Sequence, residues 1–141
     1  MSIDYQQDIK TLSLSNYHFH RGEYSKAIDL IAQHHFEQGQ IKTIARTHAI
    51  RCYYELYLEN HTYYELLVAQ IESDIRYTHR NKTLTEEKMR SNLNFLNFIK
   101  KLAGMRLQGK LKPEIQEQLI SEFSTLKTTL SRSWLIELIK R

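Results

Sequence analysis

Residues 41–56 read Ile41-Lys42-Thr43-Ile44-Ala45-Arg46-Thr47-His48-Ala49-Ile50-Arg51-Cys52-Tyr53-Tyr54-Glu55-Leu56. Ile41, Ile44, Ala45, Ala49, Cys52, Tyr53 and Leu56 follow one another at three- and four-residue steps, the spacing that lines up one face of an α-helix. The same spacing recurs downstream in Ile115, Leu119, Phe123, Leu126 and Leu130. No run of alternating apolar and polar residues ends in an Asn-Gly or Asp-Gly turn, so nothing argues for a sheet. These patterns predict an all-α chain.

Working outward, the spacing predicts about seven helices, near 3–20, 24–36, 41–59, 62–79, 84–107, 113–129 and 132–140. Breakers are scarce, with 4 Gly and 1 Pro in 141 residues. The breaks fall at Gly22, Gly39, Asn60 and Gly109, residues that end helices readily. Thr83-Leu84-Thr85-Glu86 has the form of a capping box, and Pro113 suits a first helical turn. Short connections make neighbouring helices antiparallel. The helix near 84–107 is apolar on two faces, Leu93, Leu96, Ala103, Leu107 and Phe95, Phe98, Leu102, Met105, which calls for neighbours on two sides. At the far end, Trp134, Leu135 and Leu138 share a face and are expected to be buried as a terminal cap, with Ser131 or Ser133 capping that helix.

Hydrophobic residues make up 41% and charged residues 26% of the chain, an ordinary balance for a folded soluble domain. No segment has the length of apolar residues that a membrane span needs, the N-terminus lacks the pattern of a signal peptide, and the single Cys52 cannot form an internal disulfide. A cytoplasmic protein is expected. It is read as one domain over 1–141, or as a piece of a longer solenoid, with self-association possible in principle. The net charge of +4 is uneven: residues 82–141 carry +6 and residues 1–41 carry −2.

His20-Arg21-Gly22-Glu23-Tyr24-Ser25-Lys26-Ala27 places an aromatic two residues after a glycine and an alanine three further on. His61-Thr62-Tyr63-Tyr64-Glu65-Leu66 repeats the frame with Tyr63 for Tyr24 and Leu66 for Ala27; Gly109 with Leu111 is a poorer third match. The frame resembles the turn between the two helices of a tetratricopeptide repeat (TPR), although the intervals of 39 and 48 residues exceed the consensus period of about 34. The resemblance implies antiparallel hairpins stacked as a right-handed superhelix whose first helices line a concave groove that binds protein or peptide. It places Asn16 and His20 from one helix, and His48, Arg51, Glu55 and Glu59 from another, in that groove. The carboxylate clamp of chaperone-binding TPR proteins is not expected: Asn16 fits, but Leu12, Cys52 and Leu96 stand where Lys, Asn and Lys belong.

Catalytic and metal-binding patterns are sparse. His18 with His20, and His34 with His35, are too close along a helix to share a face. His48 and Cys52, four apart, do share one, but a structural zinc needs four ligands, so neither metal nor cofactor is expected. Cys52 lies among apolar neighbours, where a thiol is usually inert. No Gly-x-Ser-x-Gly, Gly-rich phosphate loop or His-Glu-x-x-His occurs, so the chain is read as a binder and not an enzyme. The alternative to protein binding is contact with nucleic acid or an acidic surface through Lys100, Lys101, Arg106, Lys110 and Lys112.

Overall fold

The computed structural model describes residues 3–37, 39–126 and 131–141. Among the described residues there is no strand. The helices are α1 (Ile3–His20), α2 (Tyr24–Gln33), α3 (Gln40–Glu59), α4 (Tyr64–Arg80), α5 (Glu86–Leu107), α6 (Pro113–Ser124) and α7 (Arg132–Lys140), with one 3-10 turn at His61–Tyr63. The sixth helix ends at Ser124, short of the expected 129, with Thr125 at its C-cap; residues 127–129 and Leu130 lie outside the described residues. No described helix is long and apolar enough to cross a membrane. The chain divides into two compact units, Met1–Gln70 and Ile71–Arg141, with the division inside α4.

In the first unit, α1 ends in a left-handed turn at Gly22, φ +76°. The Gly22 N–H donates to the Phe19 carbonyl at 3.0 Å and the Glu23 N–H to the His18 carbonyl at 2.9 Å. This pair of bonds closes a helix end whose last carbonyls would otherwise lack donors. The Glu23 carboxylate then takes bonds from His18 Nδ1, Arg21 Nε and Lys26 Nζ. The His18 bond, followed by that from Lys26, holds its pKa down at about 2. Behind the turn Phe19, Ala27, Ile28, Ile31, Ala45, Ala49, Cys52 and Leu56 form the core, with Tyr24 and Tyr63 packed against it.

Three local expectations shift. The second helix stops at Gln33, short of 36, because the chain at His34 turns extended and is held there by Asp8 of α1. Gly39 ends no helix; it stands at the N-cap of α3. In the second repeat frame Leu66 is 55% exposed while Leu67 is fully buried. The 3-10 turn occupies His61–Tyr63, so α4 begins at Tyr64. Counting from each helix start, Tyr24 pairs with Tyr64 and Ala27 with Leu67, one residue later than the sequence frame suggests.

In the second unit, α5 begins at Glu86, later than expected. Thr83 is captured by the Asn81 side chain, which accepts from both the Thr83 N–H and its hydroxyl, and Thr85 becomes the N-cap, accepting from the Lys88 N–H. Phe95, Leu96, Phe98, Ile99, Leu102 and Ala103 are buried along α5. The Phe98 ring meets Phe123 of α6 at 5.0 Å, and Phe95 meets Trp134 of α7 at 6.3 Å. Both contacts fall on the Phe95, Phe98, Leu102, Met105 face; on the other face Leu96 and Ala103 are buried and Leu107 is exposed. The α5 end repeats the turn chemistry of Gly22: Gly109 has φ +68°, its N–H donates to the Arg106 carbonyl, and the Lys110 N–H donates to the Met105 carbonyl. Trp134, Leu135, Leu138 and Ile139 of α7 are buried as expected of a terminal cap. Ser131 holds the N-cap position of α7 without a side-chain capping bond. Instead the Arg132 guanidinium lies over the Phe123 ring and donates to the Leu126 carbonyl.

Candidate functional site

All six residues expected in a groove lie in the first unit, where the charges of Arg51 and His20 reach His48 and that of Glu55 reaches Arg51. His48 is 5% exposed, and its Nε2 lies 3.0 Å from the Ser15 hydroxyl and 3.8 Å from Cys52 Sγ. The Ser15 hydroxyl has one proton, which it donates to the Ala27 carbonyl at 2.7 Å. Toward His48 it therefore accepts, and the imidazole proton sits on Nε2. Burial, followed by the charges of Arg51 and His20, lowers the His48 pKa to about 4. Burial pushes the Cys52 thiol up to about 12. Both groups are neutral at ordinary pH, and the thiol is not a nucleophile. The Phe19 ring stands edge-on to His48 at 5.4 Å and carries the Arg51 guanidinium at 4.8 Å. Glu55 is buried one turn beyond Arg51, whereas Asn16 is half-buried and His20 and Glu59 are exposed.

The accessible part of this face is wider than the sequence suggested. Tyr5, Ile9, Asn16 and His20 are spaced by four, seven and four residues along α1, so they form one stripe. Tyr5 and Ile9 are large exposed apolar side chains, as is Ile44, one turn before His48 on α3. Ile44 was legible in principle: it and Ala45 are both apolar and adjacent, so no single narrow core stripe holds both.

The opposite side of α3 lines an open hollow of about 240 Å³ between α2 and α3. Its apolar surface comes from Ile28, Ile31, Phe36, Ala45 and Ala49, and its polar surface from His34, His35, Lys42, Arg46, Tyr53 and Gln70. One wall is the extended segment after α2. Asp8, 1% exposed, accepts from His34 Nε2 at 2.6 Å and from the Glu37 N–H at 3.1 Å, while the His34 and Phe36 rings stack edge to face at 4.5 Å.

Three of the five candidate basic residues have partners within the second unit. Lys100 pairs with Glu72 at 3.3 Å and Lys101 with Glu122 at 3.1 Å. Arg106 donates to the Leu138 carbonyl at 3.1 Å, satisfying the end of α7. Lys110 and Lys112 are exposed in the connection to α6. Among the described residues no three His, Cys, Asp or Glu side chains meet in a group that could hold a metal ion. Comparison of the chain with protein-family models, with curated proteins and with solved structures finds no match.

Proposed function

We propose that this chain is a non-enzymatic protein- or peptide-binding module, TPR-like in its hairpins, whose recognition surface is the shared face of α1 and α3. The right-handed superhelical stacking that the resemblance implies is part of the same reading. One observation carries it: exposed apolar side chains, Tyr5, Ile9 and Ile44, share the first helices of two hairpins with Asn16, His20 and Arg51, Tyr5 and Ile9 on the same stripe of α1 as Asn16 and His20. Apolar anchors within reach of a few hydrogen-bonding groups suit a peptide or helix of another protein. The buried Ser15–His48–Cys52 group supports a structural role for the residues most open to a catalytic reading, since it joins α1 to α3. Internal pairing of Lys100, Lys101 and Arg106 makes phosphate binding by the second unit the weaker alternative.

The test is selection of a randomised displayed peptide library on the immobilised full chain. Selected peptides are then titrated against wild type, Ile9→Glu and His20→Glu, with helicity checked by circular dichroism. The reading expects enriched peptides whose affinity falls tenfold or more in both variants. An unenriched library, or peptides indifferent to both changes, defeats it. A labelled RNA or DNA duplex that binds tightly and releases on Lys110→Glu with Lys112→Glu moves the assignment to the alternative.

A further inference from the structure

We infer that the hollow between α2 and α3 is a separate binding site for a small organic carboxylate with an apolar body, such as a short alkyl or aryl acid. It lies on the far side of α3 from the α1–α3 face, since Lys42, Arg46, Ala49 and Tyr53 fall at three- to four-residue steps half a turn away from Ile44 and Arg51. The size sets the first limit. A volume of about 240 Å³ is below the roughly 300–1,000 Å³ of drug-sized sites, so it admits one small body and not a threaded chain.

Chemistry sets the second. Ala45 and Ala49 are one turn apart on α3, and their short side chains are what leave the space; Ile28 and Ile31 face it from α2. An apolar body fits that floor. Lys42 and Arg46, also one turn apart, bring two cations to the same hollow, and among the described residues no Asp or Glu lines it. Both cations already interact within the protein. With three ammonium and five guanidinium donors, each can serve a ligand carboxylate as well. Asp8 is engaged with His34 of the wall, and Asp29 stands near enough to Tyr53 for its charge to be felt there, so the two cations outnumber the one carboxylate felt at the edge of the hollow. Burial, first among several causes, keeps the Tyr53 hydroxyl protonated, so it remains a donor. The third limit is preorganisation. The buried Asp8 fastens His34 and the Glu37 amide, and so fixes the wall carrying Phe36 before any ligand arrives. A site that is already shaped loses less on binding.

The experiment is a 1H–15N correlation titration of the full chain with sodium benzoate and sodium hexanoate, with benzamide and inorganic phosphate as controls. The expected result is saturable, millimolar-range movement of the Phe36, Ala45, Arg46 and Ala49 amides with both carboxylates, at least tenfold weaker with either control. Arg46→Gln and the milder Lys42→Gln, each confirmed folded by its spectrum, should both weaken benzoate severalfold. Ile9→Glu should leave it unchanged, which separates this site from the α1–α3 face. Equal response to benzamide, equal response to phosphate, or no localised movement overturns the assignment.

Discussion

The Asp8 carboxylate lies 2.6 Å from His34 Nε2, and that contact decides where α2 ends. The helical spacing of this segment runs on to residue 36, yet the chain leaves the helix at Gln33. Asp8 is buried, and a buried carboxylate without donors is costly. It obtains two by holding residues 34–37 out of the helix, with the His34 ring and the Glu37 amide both turned toward it.

Asp8→Ala is therefore expected to cost on the order of 3 kcal/mol, the range for losing charged hydrogen bonds inside a fold. Urea denaturation measures the loss. Amide exchange should show Glu37 deprotected well beyond the rest of the first unit, and uniform deprotection would contradict the local role given to Asp8.

The repeat register can be tested at two adjacent residues. Ala27→Arg and Leu67→Arg each force a long cation into a fully buried position. Each should lower stability by roughly 1–3 kcal/mol or more. Leu66→Arg, at an exposed position, should stay within about 0.5 kcal/mol of wild type. A larger loss at Leu66 than at Leu67 would restore the frame read from the sequence.

His48 predicts a pH dependence. Its folded pKa of about 4 lies below the ordinary value of 6.5, so the unfolded chain takes up the proton first. Stability is unaffected by His48 above pH 6.5, falls as pH drops from 6.5 to 4, and levels below that. The loss is on the order of 3 kcal/mol. Glu23, also depressed, acts lower, its contribution vanishing as pH falls from 4.5 toward 2. In His48→Gln, which keeps a donor for Ser15, the slope between pH 6.5 and 4 should flatten in denaturation midpoints; an unchanged slope would assign it elsewhere.

Trp134 reports on the second unit because it is the only tryptophan. Packed against Phe95, it should emit in the blue and resist iodide quenching in dilute solution. Trp134→Ala should cost about 3–5 kcal/mol. Red-shifted, fully quenchable emission from the folded chain would place the indole in water.

Much of the fold was written in local chemistry. Helix positions followed from apolar spacing, and the turns after α1 and α5 followed from Gly22 and Gly109, whose positive φ lets the chain close each helix on its own carbonyls. Pro113 marked the first turn of α6. Trp134, Leu135 and Leu138 announced a buried face. All of these depend on residues within a few positions of one another, so the sequence by itself determined them. The tertiary structure alone decided the rest, because the partners are far apart along the chain. Asp8 and His34 are separated by 26 residues, Ser15 and His48 by 33, Lys101 and Glu122 by 21. Periodicity assigns a residue to a face and is silent about what arrives opposite. That is why the spacing of Lys100 and Lys101 gave no hint of Glu72 and Glu122 opposite them, why His48 lies buried against a serine, and why the hollow beside Lys42 and Arg46 left no mark in the local pattern.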